Sequence, residues 1–378
     1  MIAVAGVCVL AGGCGQPGHG TGPAANTVSR PSQPAPLVAV LDAPFGSVPN
    51  SLRLVGLDGV EAARLPLPDS AEAVAVGGHR VLVAGGGRLL GGVAGTTVPG
   101  ALTPLSTLPG GSADSLVRGL VISPDGGSWL FSLVVQHEDG TLTSRIYRGG
   151  EGAAPRLLVE HTAPGRALQP VAWTAGGAVV SDEPVGIGGY VLFRRSFGPT
   201  SLLDVDSGTL RPLTGEDCAF SDLAADGSVA CVVDGREGPN TGGPVRLRIQ
   251  PRTGAPLEVR LPSTDQQAGA AYFSPDGLWV TLASSPATAG ASEPVTDVLV
   301  DRRDGSVHPL PASGLIPAGW LPGGHILADR PTGIEGGDPG TWAIIPEAGA
   351  TRISTAVMAL GLLDERPISR STRAAAPR

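Results

Sequence analysis

The sequence predicts an all-β repeat protein, and three observations support this prediction. Glycine and proline account for 57 and 36 of the 378 residues, a density that disfavours helices and suits short strands with tight turns. Long stretches with apolar residues at helical spacing are absent. A short turn phrase recurs at a period typical of repeat folds. Its closing glycines, spaced by 48, 51, 50, 50 and 47 residues, are Gly78, Gly126, Gly177, Gly227, Gly277 and Gly324.

The turn phrase is clearest at Phe273-Ser-Pro-Asp-Gly277. Proline at the second turn position presets φ near −65°. The aspartate accepts hydrogen bonds from nearby backbone, and glycine adopts a positive φ without steric cost. A large apolar residue lies four positions before the closing glycine of every copy, and an apolar stretch such as Leu278–Ala283 follows the glycine. Each copy therefore predicts strand, tight turn and strand.

A second family of hairpins lies between the turn phrases. Examples are Leu202–Gly208 and Asp297–Gly305, in which an apolar strand runs into a polar turn that ends in glycine. Each unit of about 50 residues thus holds four strands, which is the size of a propeller blade. The sequence predicts a seven-bladed β-propeller of four-stranded antiparallel blades.

The first blade lacks an inner turn phrase of its own. The apolar stretch from Ile353 to Leu363, at the other end of the chain, would supply the missing strand. Pairing of this C-terminal strand with blade one would close the ring and remove the unpaired edges that promote aggregation.

The turn phrases resemble those of TolB-like β-propellers, which are relatives of the WD-repeat family. In that family the phrase opens each blade, and a Thr- or Pro-containing segment closes it, as at Leu210-Arg-Pro-Leu-Thr214 and Val307-His-Pro-Leu-Pro311. The resemblance covers residues 37–364. Blades two, four and seven keep only Gly-Gly, and the helix-rich N-terminal domain of TolB has no counterpart here. The resemblance therefore implies a fold and not a role.

The N-terminal residues 1–13 resemble the signal peptide of a bacterial lipoprotein. A ten-residue apolar run is too short to span a bilayer and is followed by Leu10-Ala-Gly-Gly-Cys14, in which Cys14 would carry the lipid. No Arg or Lys precedes the run, and an ordinary secretory signal with an incidental cysteine is the alternative. Residues 14–36 read as a flexible Gly/Pro/Ser tether, and residues 365–378 as a disordered tail with four arginines.

Two cysteines remain in the propeller, Cys218 and Cys231, on either side of one predicted hairpin. If Leu223 pairs with Ser228, Phe220 faces Cys231 and Cys218 lies one diagonal step beyond. A disulfide is expected in an oxidising compartment, although a diagonal Cα separation of about 7 Å is near the upper limit for a bridge. Two small buried residues are the alternative.

Several blades end their second strand in an aspartate. For three of them the offset from the turn glycine is odd, at 5, 7 and 5 residues from Gly177, Gly227 and Gly324, so these acids would share one strand face. One hypothesis is an acidic rim that attracts a cationic ligand, a metal or a basic protein surface. The alternative, which the sequence favours, is that aspartate starts a turn and keeps the surface soluble. The four residues are Asp42, Asp182, Asp234 and Asp329.

The sequence contains no pattern typical of a catalytic or metal centre. Gly-x-Ser-x-Gly and His-Glu-x-x-His are absent, and the six histidines are scattered. We therefore predict no cofactor and no metal. The five tryptophans lie in predicted strands and are assigned to packing, with ligand stacking for one or two as an alternative. Nucleic acid is not expected as a partner, since the net charge is −8 and no basic stripe runs through the body.

These observations predict an exported, lipid-anchored propeller on the extracytoplasmic face of the cell membrane. The favoured function is a non-enzymatic protein-binding or scaffolding module of the cell envelope, with a protein as its partner and a glycan or small ligand as alternatives. A second hypothesis is a carbohydrate hydrolase or lyase with funnel carboxylates as acid and base. An envelope ligand sensor is a third.

Overall fold

The computed structural model of the chain is an all-β ring of seven antiparallel sheets. The residues that it describes are 36–42, 51–93, 102–110, 115–185, 198–233, 245–261, 267–286, 295–331, 337–356 and 358–363. Each sheet is one blade, and six of the seven blades consist of strands that are consecutive in the chain. The predicted seven-bladed β-propeller is therefore confirmed.

The blades are numbered in chain order, and each has an innermost, two middle and an outermost strand. Blades one to three contain β1 (Leu37–Asp42), β2 (Ser51–Gly56), β3 (Glu61–Pro66), β4 (Ala73–Gly77), β5 (Arg80–Gly85), β6 (Arg88–Val93), β7 (Thr103–Thr107), β8 (Ser115–Ile122), β9 (Ser128–Gln136), β10 (Thr141–Gly150) and β11 (Ala153–Pro164). Blades four and five contain β12 (Arg166–Thr174), β13 (Gly177–Pro184), β14 (Thr200–Leu203), β15 (Leu210–Thr214), β16 (Ala219–Leu223), β17 (Val229–Val233), β18 (Arg246–Gln250) and β19 (Leu257–Arg260).

Blades six and seven complete the ring. They contain β20 (Gln267–Ala268) and β21 (Tyr272–Phe273), which together form one innermost strand, β22 (Trp279–Ser285), β23 (Thr296–Asp301), β24 (Val307–Pro309), β25 (Ile316–Leu321), β26 (His325–Arg330), β27 (Gly340–Ile345) and β28 (Gly349–Ser354). A 3₁₀ turn, Pro322–Gly324, joins β25 to β26. The last strand, β29 (Met358–Leu363), belongs to blade one.

The ring closes through β29. This strand pairs antiparallel with β1, with Leu37 opposite Leu363 and Leu41 opposite Met358, and forms the innermost strand of blade one. It also contacts β4 of blade two and β25 of blade seven, so the innermost strands meet in a continuous circle. The predicted closure by the C-terminal strand is confirmed.

The turn phrases fold as the residue types predict. In blade six, Ser274 Oγ donates to Asp276 Oδ1 at 2.6 Å, the Leu278 N–H donates to the same oxygen at 3.0 Å, and Gly277 adopts a φ of 69°. The inner and outer turns of a blade lie on one rim because its first and third strands run in the same direction. We call this the turn rim, and the opposite side, with the connections after the second strand, the loop rim.

The core consists of apolar layers between neighbouring blades. Leu247 of blade five and Leu282 of blade six are fully buried in one such layer. Leu52 of blade one and Val81 of blade two are fully buried in another. Each blade is therefore stabilised by both of its neighbours, as expected for a repeat architecture.

In the described part of the chain, hydrogen bonds from backbone N–H groups to carboxylates connect successive blades at four junctions. In each case a side-chain oxygen accepts a backbone N–H at, or just before, the innermost strand of the next blade. The pairs are Glu72 with Val117 at 2.6 Å, Asp222 with Phe273 at 2.9 Å, Asp297 with Leu315 at 3.0 Å, and Asp329 with Ala359 at 2.9 Å. The last pair ties blade seven to β29.

A disulfide joins Cys218 and Cys231 in blade five, with Cα atoms 5.4 Å apart. Phe220 faces Cys231, as the sequence predicts. The pairing of Leu223 with Ser228 is wrong, because Leu223 faces Val229 and a register shift between Phe220 and Asp222 compensates for the difference. The Cα separation lies well within the range of a bridge.

Loss of this disulfide is expected to destabilise the propeller measurably. We predict that Cys218→Ala together with Cys231→Ala lowers the free energy of unfolding by about 3 kcal/mol, because the bridge closes a short loop in the unfolded chain. Denaturant unfolding with and without a reductant measures this. The double variant should not respond to the reductant, and equal stability of the two proteins would contradict the prediction.

Candidate functional site

A cleft of about 770 Å³ opens on the turn rim between blades six and seven. Its volume lies in the range of ligand sites in proteins, about 300–1,000 Å³. We call it the Trp cleft. Its walls include Asp276, Trp279, Leu299, His308, Leu310, Trp320, His325, Ile345 and Glu347, together with prolines 275, 309, 322 and 346.

Two half-buried tryptophan rings form the apolar walls. Trp279 is the first residue of β22, directly after the turn phrase, and its ring meets His308 edge-on with centroids 5.8 Å apart. Trp320 lies near the end of β25, and its Nε1 donates to the Tyr272 carbonyl oxygen at 2.9 Å. These contacts fix both rings on rigid strands.

One exposed apolar side chain lines the cleft. It is Ile345, which is 40% exposed. Leu278 and Val307 are also exposed and precede the lining residues Trp279 and His308 in the sequence, but they do not line the cleft. This is expected, because successive side chains of a strand point to opposite faces.

The charges in the cleft are negative. The Ser274 hydroxyl donates to Asp276 and, with the Leu278 N–H, holds the pKa of this carboxyl below its usual range. Asp276 is therefore ionised at neutral pH. Glu347 is exposed and has no hydrogen-bond or ion-pair partner among the described residues.

Two arginines in the outer turn of blade six bind other groups. Arg302 contacts Asp226 at 2.7 Å and the Gly277 carbonyl oxygen at 3.2 Å, and Arg303 pairs with Asp301. Neither lines the cleft. The carboxylate of Glu347 consequently faces the cleft without a cation beside it within the described residues.

The predicted acidic rim lies on the loop rim and not at the Trp cleft. Asp42 pairs with Arg64 at 2.9 Å, and Asp182 pairs with Arg166 at 3.1 Å. Asp329 accepts hydrogen bonds from Thr341 Oγ1 and from the Ala359 N–H. Asp234 lies outside the described residues. An acidic rim as a binding surface stays a prediction, while all three described carboxylates have partners within the fold.

The structure also bears on acid–base chemistry. Burial raises the pKa of Asp222 to about 6 and that of Asp297 well above its usual value. Both accept backbone N–H groups of the next blade, and neither lines the Trp cleft. Among the residues that the structure describes, no group of three or more His, Cys, Asp or Glu side chains is placed to hold a metal ion.

No protein-family model and no curated protein matches the chain. Among solved structures, the oligogalacturonate lyase of Vibrio parahaemolyticus is similar over 83% of this chain and 92% of its own, with 11% identity and a TM-score of 0.54. At this identity the likeness supports the propeller fold alone.

Two further solved structures are similar at lower TM-scores. A putative TolB from Agrobacterium tumefaciens is 20% identical over 73% of this chain and 88% of its own, with a TM-score of 0.41. A putative 6-phosphogluconolactonase from Bacteroides fragilis is 13% identical over 87% of this chain and 97% of its own, with a TM-score of 0.49.

Proposed function

We propose that this protein is a non-enzymatic binding module of the cell envelope and that the Trp cleft receives a segment of a protein partner. The observation that carries the proposal is the cleft itself. It combines rigid aromatic walls with an exposed apolar side chain, Ile345, and few polar groups, as interface anchors and ligand sites do.

The β-propeller fold is compatible with this function. The turns that border the Trp cleft are held by their own hydrogen bonds, so the cleft is formed before a partner arrives. A preformed cleft reduces the ordering cost of association. The Ser274–Asp276 hydrogen bond stabilises the turn of blade six, and the Trp320–Tyr272 hydrogen bond joins blade seven to blade six beside the cleft.

We predict that Ile345→Ser weakens partner binding about tenfold, because truncation removes an exposed apolar contact from the cleft. Capture of crosslinked partners from cell-envelope extract identifies the partner, and titration with the purified partner measures the affinity. Leu157→Ser is the matched control, since Leu157 is 45% exposed on β11 of blade three. Equal loss of binding in both variants, or in neither, would argue against the cleft.

The proposal includes a lipid anchor on Cys14. Among the described residues, no helix is long and apolar enough to cross a membrane. We predict that Cys14→Ser moves the protein from the membrane fraction to the soluble extracytoplasmic fraction, because it removes the atom that would carry the lipid. Fractionation and mass spectrometry of the N-terminal peptide test this. An unchanged distribution of the protein between the fractions, together with an unmodified Cys14, would contradict the lipid anchor.

A further inference from the structure

The Trp cleft also indicates the chemistry of its occupant. Resting on the proposed function, we propose that the cleft binds an arginine or lysine side chain of an extended partner segment, with an apolar ring, from proline or an aromatic residue, beside it. The guanidinium or ammonium group would lie at Glu347, and the apolar ring would pack on Trp279 and Trp320.

Charge complementarity is the first argument. Glu347 and Asp276 line the cleft, and no arginine does among the residues that the structure describes. The whole sequence contains no lysine. Arg302 and Arg303, in the outer turn of blade six, are bound to Asp226 and Asp301. A cation from a partner would therefore meet an unneutralised carboxylate, which favours it over a neutral or anionic group.

The aromatic walls add a second argument for a cation. The Trp320 indole N–H is bonded to the Tyr272 carbonyl, so this edge of the ring is occupied within the fold. Trp279 is held edge-on by His308. The face of an indole attracts a guanidinium or ammonium group through its quadrupole, more strongly than the face of a phenyl ring. The aromatic faces and the carboxylates of the cleft thus both favour a cationic side chain.

The small number of available polar groups disfavours a saccharide. The Ser274 hydroxyl donates its proton to Asp276 and accepts the backbone N–H of Trp279, so it has no proton to donate to a ligand. His308 Nε2 lies 3.1 Å from the Ser306 hydroxyl. The polar groups without a partner in the described residues are chiefly Glu347 and His325. A sugar with several hydroxyls would leave most of them unpaired, at a cost in affinity.

The test uses the full chain and two synthetic peptides, acetyl-Pro-Arg-Phe-amide and the same peptide with citrulline in place of arginine. Citrulline keeps the shape of arginine and removes its charge. Calorimetric titration should show the arginine peptide binding at least tenfold more tightly, with the difference reduced at high salt. Glu347→Gln should weaken the arginine peptide about fivefold to tenfold and leave the citrulline peptide unchanged.

The matched control is Glu216→Gln, since Glu216 is an exposed glutamate between β15 and β16 on the loop rim. It should leave both affinities unchanged. Equal binding of the two peptides, binding of neither, or binding of maltotetraose alone would overturn the inference. The proposed function fails separately, if Ile345→Ser does not alter capture of a protein partner.

Discussion

A chain that ends at Ala356 is expected to accumulate as an aggregating, incompletely folded protein, because it lacks β29. This strand supplies the innermost position of blade one, where Leu363 is fully buried and Ala359 is 6% exposed. A fully buried large apolar side chain such as Leu363 contributes about 1.5–3 kcal/mol, and the partly buried Met358, Leu360 and Leu362 add to this, so loss of β29 removes about 5 kcal/mol. That is comparable to the whole stability of many domains. Circular dichroism melting and size-exclusion chromatography measure the result.

The control for this deletion is a chain that ends at Asp364. It keeps β29 and loses only residues 365–378, and it should melt as the full chain does. A milder version is Asp329→Ala, which removes the acceptor for the Ala359 N–H and is expected to cost about 1–3 kcal/mol. If the chain ending at Ala356 melted at the same temperature as the control, closure by β29 would not stabilise the ring.

Asp222→Asn is expected to be more favourable to stability at pH 8 than at pH 4 by about 3 kcal/mol, on top of a pH-independent cost, because the amide group leaves the Leu223 N–H without its acceptor. Burial raises the pKa of Asp222 to about 6, while hydrogen bonds from the Phe273 and Leu223 N–H groups offset part of the shift. In the unfolded chain the carboxyl titrates near 3.9. Its contribution to stability is therefore fully present below about pH 4 and is lost as the pH rises through about 6.

The asparagine variant stays neutral at every pH and keeps one oxygen for the Phe273 N–H. Denaturant unfolding at several pH values, with the wild type beside the variant, gives the difference. Asp125→Asn in blade three is a control of opposite sign, because the Ser123 hydroxyl and the Gly127 N–H lower the pKa of Asp125. That variant should be less stable above pH 4 and unaffected at lower pH. An effect of Asp222→Asn that is the same at every pH would refute the assignment.

The architecture could be predicted because each turn depends on neighbouring residues. Ser274, Asp276 and Gly277 determine their turn within four positions, and the recurrence of such turns determines the number of blades. Ring closure could be predicted by counting strands, because blade one lacked an innermost strand and an apolar stretch remained at the C-terminus. Interactions of this short range are visible in a sequence without knowledge of the fold.

The site could not be predicted in the same way, because its two walls come from different blades. Trp279 and Trp320 lie 41 positions apart in the sequence, and both also suit packing between blades. Trp129 follows a similar turn phrase in blade three and is 2% exposed. Exposure of a tryptophan therefore depends on its neighbours across the junction. Successive tryptophans beside the turns do not identify the junction either, because blades three and four also carry them, at Trp129 and Trp173.

The role of Asp329 was hidden for a related reason. Its position at the end of a strand suggested a surface acid, while its partners are the Thr341 hydroxyl and the Ala359 N–H. Ala359 is 30 positions away. The register shift in β16 did leave a signal, because the buried residues Phe220 and Leu223 are three positions apart and so break the two-residue alternation of a regular strand.

The pairing of Leu37 with Leu363 has a practical consequence for experiments on this protein. β1 begins and β29 ends on the turn rim, so a tag or linker at either end of the propeller leaves from the side that carries the Trp cleft. Immobilisation through a terminus would crowd that side and reduce apparent affinity. A circularly permuted chain, with residues 363 and 37 joined by a short linker and new ends on the loop rim, would present the cleft freely.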